Sequence, residues 1–171
     1  MGPAFVIPTA TNDILGQGKF SMGPSVTFMG SNPFPPRATQ QGTCIMVECG
    51  QTGRYFFDFG SGCMRNIIAN QVPVPEINDI FITHLHVDHY TDMPYIYAFG
   101  PFIMRWKPFR VIGPSGRTPE MGTAAMVKAM TPMCAWHIRS FSSVPVGDGY
   151  ETEVSEFDYK DDGGTCYDKN V

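Results

Sequence analysis

The sequence predicts a mixed α/β (α+β) fold in one domain. Short apolar runs with the period of β-strands alternate with segments whose caps and breakers are typical of helices, and the first half of the chain contains two strand-like runs joined by a turn. A chain of 171 residues with 43% apolar content and 13 Phe can bury a sizeable core. This composition excludes a disordered chain, and residues 1–171 are predicted to form a single domain.

The first half of the chain predicts an antiparallel opening of a β-sheet. Residues 1–25 are rich in Gly, Pro, Asn and Ser, so an irregular arm or a loose edge hairpin is expected there. Strand-like runs follow at 26–29, 42–49 and 55–57. The turn residues 51–54 separate the last two runs, which predicts that they pair as a hairpin.

The second half alternates between predicted helices and strands. Helices are expected at 64–70, from Thr91 or Asp92 to Phe99, and at 118–130, where Pro132 stops the last one. Strands are expected at 77–83, 110–112, 135–139 and 154–159, with a hairpin turn at 147–149. The polar residues 160–171 predict a loop or a frayed C-terminal tail.

Charge and hydropathy exclude several classes of function. The net charge is −4 with no basic block, which argues against broad nucleic-acid binding by this segment. No apolar run reaches the length of a membrane span, and the N-terminus lacks the regions of a signal peptide, although a cleaved export signal would leave no trace. The five cysteines show no C-x-x-C spacing, so buried unpaired thiols and a cytoplasmic or otherwise reducing setting are expected.

Three of the four histidines lie within the seven residues 83–89, just past the carboxyl end of a predicted strand. Side chains at i and i+2 of extended backbone share a face, so His84 and His86 can bind one cation together. Asp88 and His89 follow where the chain turns, and can reach a second cation. Imidazoles with one carboxylate suit zinc, and also admit iron or manganese.

The order His-x-His-x-Asp-His is the signature of the metallo-β-lactamase superfamily. The sequence resembles that family from about Val26 to the C-terminus, and its details are similar to the tRNase Z-like and arylsulfatase-like branches. The resemblance implies an αββα sandwich with one or two metals at its edge, of which this chain supplies about the N-terminal half.

The resemblance also implies roles for individual residues. His84, His86, Asp88 and His89 match the metal ligands, and Asp88 is in addition the expected catalytic residue, which orients the attacking water. Asp58 matches an Asp-x-Gly that lies near the metals in the family, where it would hold the N–H of a histidine and fix its tautomer. The alternative interpretation of Asp58 is an ordinary turn residue.

The expected function is that of a zinc-dependent hydrolase that uses a metal-bound hydroxide on an ester-type or phosphodiester bond. Two zinc ions are expected in a complete binuclear site. β-Lactam hydrolysis is the alternative within the family, because all branches share the motif. A non-catalytic half-domain that needs a partner segment is the alternative from another class.

The complete site of the family needs further ligands that the second half of the fold supplies. No histidine follows His137 in this chain. A homo-oligomer or a missing C-terminal half is therefore expected, with a small-molecule substrate, no membrane contact, and nucleic acid by family analogy only. His137 itself is expected to be a partly exposed histidine rather than a ligand, and residues 113–116 to be a tight turn rather than a phosphate loop.

Overall fold

In the part of the chain that the structure describes, six strands form one mixed sheet whose spatial order follows the order of the chain. The computed structural model describes residues 23–31, 37–50 and 53–163. The strands are β1 (Pro24–Gly30), β2 (Cys44–Cys49), β3 (Arg54–Phe57), β4 (Asp79–Phe81), β5 (Phe109–Pro114) and β6 (Thr152–Phe157). β1, β2 and β3 are antiparallel neighbours, which confirms the predicted hairpin, and β3 to β6 run parallel.

Helices connect the parallel strands. They are α1 (Cys63–Ala69), α2 (Met93–Phe99), α3 (Thr123–Met133) and α4 (Ala135–Ser140). Short 3₁₀ turns at Val74–Glu76, Val87–His89, Pro101–Ile103 and Pro119–Met121 lie between them. No helix in the described ranges combines the length and the apolar character that crossing a bilayer requires.

Two predictions for the region after residue 130 are wrong. α3 does not end before Pro132 but continues to Met133. Pro132 lies in the last turn, where the N–H that proline lacks removes one hydrogen bond, while Cys134 N still bonds to Met130 O at 2.9 Å. The predicted strand around His137 is helix α4, since Ile138 N bonds to Cys134 O at 3.0 Å in the helical pattern.

Two further predictions need correction in their bounds or context. β4 covers only three residues of the predicted strand 77–83. The turn at 147–149 does not join two hairpin strands, because it leads from α4 into β6, which pairs with β5 in parallel. The predicted arm lies largely outside the described residues, as does the tail beyond residue 163.

The core lies on one face of the sheet. Buried residues occupy paired positions on four neighbouring strands, in the order Met46, Phe56, Ile80 and Val111. The helices cover this row and contribute to the same cluster with Ile67 (α1), Ile96 (α2) and Val127 (α3).

The other face is apolar and open at the β1–β2 edge in the described residues. Val26 pairs with Val47, and Phe28 pairs with Ile45. Phe28 is 69% exposed and Val26 is 60% exposed. This open face is what a half-sandwich would present.

Cys44 and Cys63 form a disulfide with their Cα atoms 6.0 Å apart, which corrects the prediction that these thiols are unpaired. The β2–β3 hairpin returns the chain, so that the start of α1 lies beside the start of β2, where Gly60 N bonds to Thr43 O at 2.9 Å. Residues 19 positions apart meet only through this return, which the spacing of the cysteines does not reveal. Cys134 is not in a disulfide and has a free thiol, and Cys166 lies outside the described residues.

Two Phe-to-Ala substitutions should distinguish the covered face of the sheet from the open face by their effect on stability. Phe56→Ala removes a fully buried ring and should lower the free energy of unfolding by about 3–5 kcal/mol. Phe28→Ala removes a ring that is largely in water already, so a change within about 0.5 kcal/mol is expected. Urea unfolding followed by circular dichroism measures both, and equal losses would contradict this assignment of the two faces.

Candidate metal centre

The histidine motif lies in the loop that leaves β4. Ile82 N still bonds to Ile112 O at 2.8 Å, so the chain separates from β5 only after this residue. The apolar side chains of Leu85 and Tyr90 pack against the core. His84 and His86 are exposed. The loop is thus anchored by its apolar residues and presents its imidazoles to solvent.

The structure brings all three histidines of the motif and Asp88 together. His84 Nε2 lies 3.0 Å from His86 Nδ1. The ring centroids of His84 and His89 are 4.0 Å apart. His89 Nε2 lies 3.6 Å from Asp88 Oδ2. The four possible metal ligands therefore form two adjacent pairs. His84 and His86 form one pair through two nitrogens, and His89 and Asp88 form the other through a nitrogen and an oxygen.

Asp58 lies beneath this loop and contacts both of its ends. Its side chain is almost fully buried. Oδ1 accepts a hydrogen bond from Thr83 N at 2.9 Å, and Oδ2 lies 2.7 Å from His89 Nδ1. The contact with His89 is the one that the expected role of Asp58 requires, and that role stays a prediction.

The backbone of residues 58–60 supports the same loop. Asp58 N donates to Phe81 O at 2.7 Å, and Phe59 N donates to His89 O at 2.6 Å. Asp58 has a φ of 61°, a left-handed conformation that Asp adopts more readily than most residues. Gly60 has no room for a side chain, because an added Cβ would overlap the carbonyl oxygen of Asp88.

Asp92 has a different role from the predicted helix cap. It occupies the position before α2 but makes no capping hydrogen bond there with its side chain. Its Oδ2 instead accepts a hydrogen bond from Met64 N at 3.2 Å, in the first turn of α1. Burial raises the pKa of Asp92, and the hydrogen bonds from the α1 backbone oppose that rise. The carboxylate links the end of the motif loop to α1.

The electrostatics of the cluster favour neutral imidazole at His84. Partial burial lowers the pKa of His84, and the neighbouring His89 and His86 lower it further. A neutral imidazole is the form that binds a metal ion.

The donors fit zinc in chemistry and in pairwise spacing. Two nitrogens that bind one zinc at about 2.1 Å in tetrahedral geometry lie about 3.4 Å apart, close to the 3.0 Å between His84 Nε2 and His86 Nδ1. Within the described ranges, no group of three or more His, Cys, Asp and Glu side chains is arranged to hold a metal ion. The chain therefore offers donor pairs, and neither pair closes a coordination shell alone.

An apolar cavity of about 550 Å³ lies between the motif loop and α3. Leu85 and Tyr90 line it from the loop, and Met126 and Met130 line it from α3. Leu85 and Tyr90 thus border the cavity as well as pack against the core, and Asp58 holds the loop on its other side.

The remaining sequence predictions have simple outcomes. His137 lies in α4, half-buried, with its ring centroid 4.9 Å from that of Phe141. Gly113 and Pro114 belong to β5, and Pro114 O accepts a hydrogen bond from Thr123 Oγ1 at 2.9 Å. The predicted tight turn at 113–116 is therefore wrong in its bounds, because β5 continues to Pro114 and residues 115–122 connect it to α3.

Two residues of the site had no predicted role of their own: Thr83, which begins the motif loop, and Gly60, which contacts it. Thr83 directly precedes the first histidine of the motif. A hydroxyl next to a potential metal ligand is the feature of the sequence that could have indicated its role. Gly60 is the glycine of the Asp-x-Gly segment, and its close approach to Asp88 is visible only in three dimensions.

A pair of Gly-to-Ala substitutions tests whether the loop is held as described. Gly60→Ala places a methyl group against the Asp88 carbonyl, so the free energy of unfolding should fall by about 1–3 kcal/mol and the loop should move. Gly23→Ala is the control, since an added Cβ there meets no atom within 4 Å. Thermal unfolding and the NMR shifts of the histidine rings report both effects, and an unchanged His89 ring in Gly60→Ala would contradict the prediction.

Comparisons with known proteins agree with this geometry. A family model described as tRNase Z endonuclease matches residues 35–92, which include Asp58 and the whole histidine motif. The chain is 29% identical over 117 residues to the mouse zinc phosphodiesterase ELAC protein 1, covering 62% of this chain and 32% of the mouse protein. The chain thus spans about a third of the length of that relative.

Solved structures show the same fold. Human tRNase Z, short form, superposes with a TM-score of 0.53 at 23% identity, covering 77% of this chain and 44% of the human one. The metallo-β-lactamase fold protein YhfI from Bacillus subtilis superposes with a TM-score of 0.53 at 17% identity, covering 78% and 46%. The motif, the matching family model and the fold are thus all similar to those of the tRNase Z-like branch of the metallo-β-lactamase superfamily.

Proposed function

We propose that this chain carries the first half of the metal site of a zinc-dependent phosphodiester hydrolase. The observation that carries the proposal is the cluster of four donors above Asp58, in which two imidazole nitrogens lie 3.0 Å apart. The name of a similar protein, zinc phosphodiesterase, and the description of the matching family model, tRNase Z endonuclease, favour zinc as the metal and a phosphodiester as the scissile bond.

The ligands divide into two pairs. His84 Nε2 and His86 Nδ1 would hold one zinc, and Asp88 with His89 Nε2 would hold the second. Each pair lacks the third protein ligand that catalytic zinc sites usually have. We infer that residues beyond these pairs complete both shells, from the remainder of a longer chain or from a partner.

Zinc, when bound, would lower the pKa of a water molecule to about 7 and polarise the phosphoryl oxygen. The chain's own residues perform the remaining tasks. Asp58 Oδ2 accepts a hydrogen bond from the Nδ1–H of His89, which leaves the lone pair on His89 Nε2 for the metal. Asp88 is half-buried beside His89, where its free oxygen can accept a hydrogen bond from the attacking water and orient it.

The open apolar face supports a second candidate function, that of a non-catalytic unit that binds a partner. Val26 and Phe28 are largely exposed there. Contiguous exposed apolar surface is typical of interaction sites. Size-exclusion chromatography with light scattering tests this candidate, and a stable compact monomer of the 171-residue chain would remove the main reason for it.

The metal stoichiometry should reflect the two incomplete pairs. After dialysis against a mild chelator, the 171-residue chain should retain at most one zinc, because a two-ligand site forfeits much of the binding free energy. A completed protein should retain two. Elemental analysis measures the ratio, and two zinc ions retained by the isolated chain would show that further ligands lie within it, with His137 and Asp58 the first to examine.

The activity should depend on the motif and not on the fourth histidine. The longest natural form of the protein, loaded with zinc, should hydrolyse bis-p-nitrophenyl phosphate faster than nitrocefin, p-nitrophenyl sulfate or a lactone. His86→Ala should lower kcat/KM by a factor of about 100 or more, since ligand loss costs at least as much as loss of a supporting residue. His137→Ala is the matched control and should change kcat/KM by less than about twofold, because His137 lies in α4.

Three results would contradict the proposal. Turnover of none of the four substrates would count against an enzyme. Preferred turnover of nitrocefin would replace the phosphodiesterase with the β-lactamase alternative. Equal losses in the two histidine variants would separate the activity from the motif.

A further inference from the structure

Thr83 makes an unusual number of polar contacts for a single hydroxyl. Its Oγ1 lies 3.0 Å from Asp58 Oδ1, 2.9 Å from Asp58 Oδ2 and 3.1 Å from His84 Nδ1. Its backbone N–H also donates to Asp58 Oδ1 at 2.9 Å. The hydroxyl therefore stands between the buried carboxylate and the first histidine of the motif.

The protons in this chain of contacts can be assigned. A hydroxyl has one proton to donate and two lone pairs, whereas an ionised carboxylate only accepts. Asp58 faces three donor groups, which are Thr83 N–H, the Thr83 hydroxyl and His89 Nδ1. The hydroxyl accordingly donates its hydrogen bond to Asp58, and the Thr83 oxygen is left to accept a hydrogen bond from the Nδ1–H of His84.

The reverse arrangement is unfavourable. If the hydroxyl donated to His84 Nδ1, its oxygen and the Asp58 carboxylate would face each other at 2.9 Å with no proton between them. Two acceptors at that separation repel each other, and the buried carboxylate would lose one of its donors.

We propose that Thr83 is a positioning residue that sets the tautomer of His84. With its proton on Nδ1, His84 carries its lone pair on Nε2, which without metal accepts a hydrogen bond from the Nδ1–H of His86 at 3.0 Å and which faces the candidate cation position. Asp58 thus fixes two imidazoles, His89 by direct contact and His84 through the Thr83 hydroxyl. The tautomer stands on its own contacts, and its use for zinc rests on the proposed function.

The tautomer can be read without metal. The 171-residue chain, labelled with ¹⁵N-histidine and free of metal, is examined by NMR at about pH 8, where imidazoles are mostly neutral. Wild type and Thr83→Ser should both show His84 protonated at Nδ1. Thr83→Val keeps the shape but removes the hydroxyl, so His84 should move toward the Nε2-protonated form that free imidazole favours in water.

His89 is the internal control for this experiment. Its tautomer should stay the same in Thr83→Val, because Asp58 contacts it directly. Three outcomes would overturn the proposal: an Nε2-protonated His84 in wild type, an unchanged His84 in Thr83→Val, or a change at His89 as large as that at His84. The last would mean that Thr83 acts only by holding Asp58 in place.

Zinc titration then separates this inference from the proposed function. Thr83→Val should weaken zinc binding by a factor of about 10, within the usual range for residues behind a ligand, and Thr83→Ser should restore it. If the chain shows the predicted tautomers but binds no zinc, the proposed function fails and the role of Thr83 in setting the tautomer stands. If zinc binds equally well to all three proteins, Thr83 does not act on the metal site.

Discussion

The buried carboxylate of Asp58 is the constraint on which the rest of the site depends. An ionised carboxylate taken out of water is costly unless every oxygen receives hydrogen bonds. Here the donors come from Thr83 and His89, the two ends of the motif loop. If the loop moved away, the buried Asp58 carboxylate would lose its hydrogen bonds, and without those hydrogen bonds its burial would be unfavourable. Each therefore stabilises the other.

The fold supplies the geometry for this contact through the order of its strands. β3 lies beside β4 in parallel, so residues 58–60 at the end of β3 arrive next to the loop that leaves β4. Hydrogen bonds from residues 58 and 59 to Phe81 O and His89 O tie the two segments along the backbone. Because Gly60 has no side chain, the carbonyl oxygen of Asp88 can lie against it. Asp58 has a left-handed backbone conformation, and its side chain lies under the histidines. The helices on the covered face hold the sheet that makes this arrangement possible.

Local patterns in the sequence were sufficient for much of this structure. The β2–β3 hairpin follows from alternation and turn residues, and the histidine cluster follows from spacing alone. Helix α4 was missed because the run from Ala135 to Arg139 suits a strand as well as a helix, and packing decided between them. The Thr83–Asp58 and His89–Asp58 contacts join residues 25 and 31 positions apart, which no local pattern encodes. The disulfide between Cys44 and Cys63 has the same origin, since the hairpin brings the two cysteines together.

In the proposed site, the motif histidines and not the cysteines provide the zinc ligands. X-ray absorption at the zinc edge of the zinc-loaded protein tests it most directly. The account predicts a first shell of nitrogen and oxygen at about 2.0–2.1 Å, with the outer-shell scattering of at least two imidazoles. A sulfur shell at about 2.3 Å would contradict it, because the zinc would then be bound by cysteine at another place in the chain.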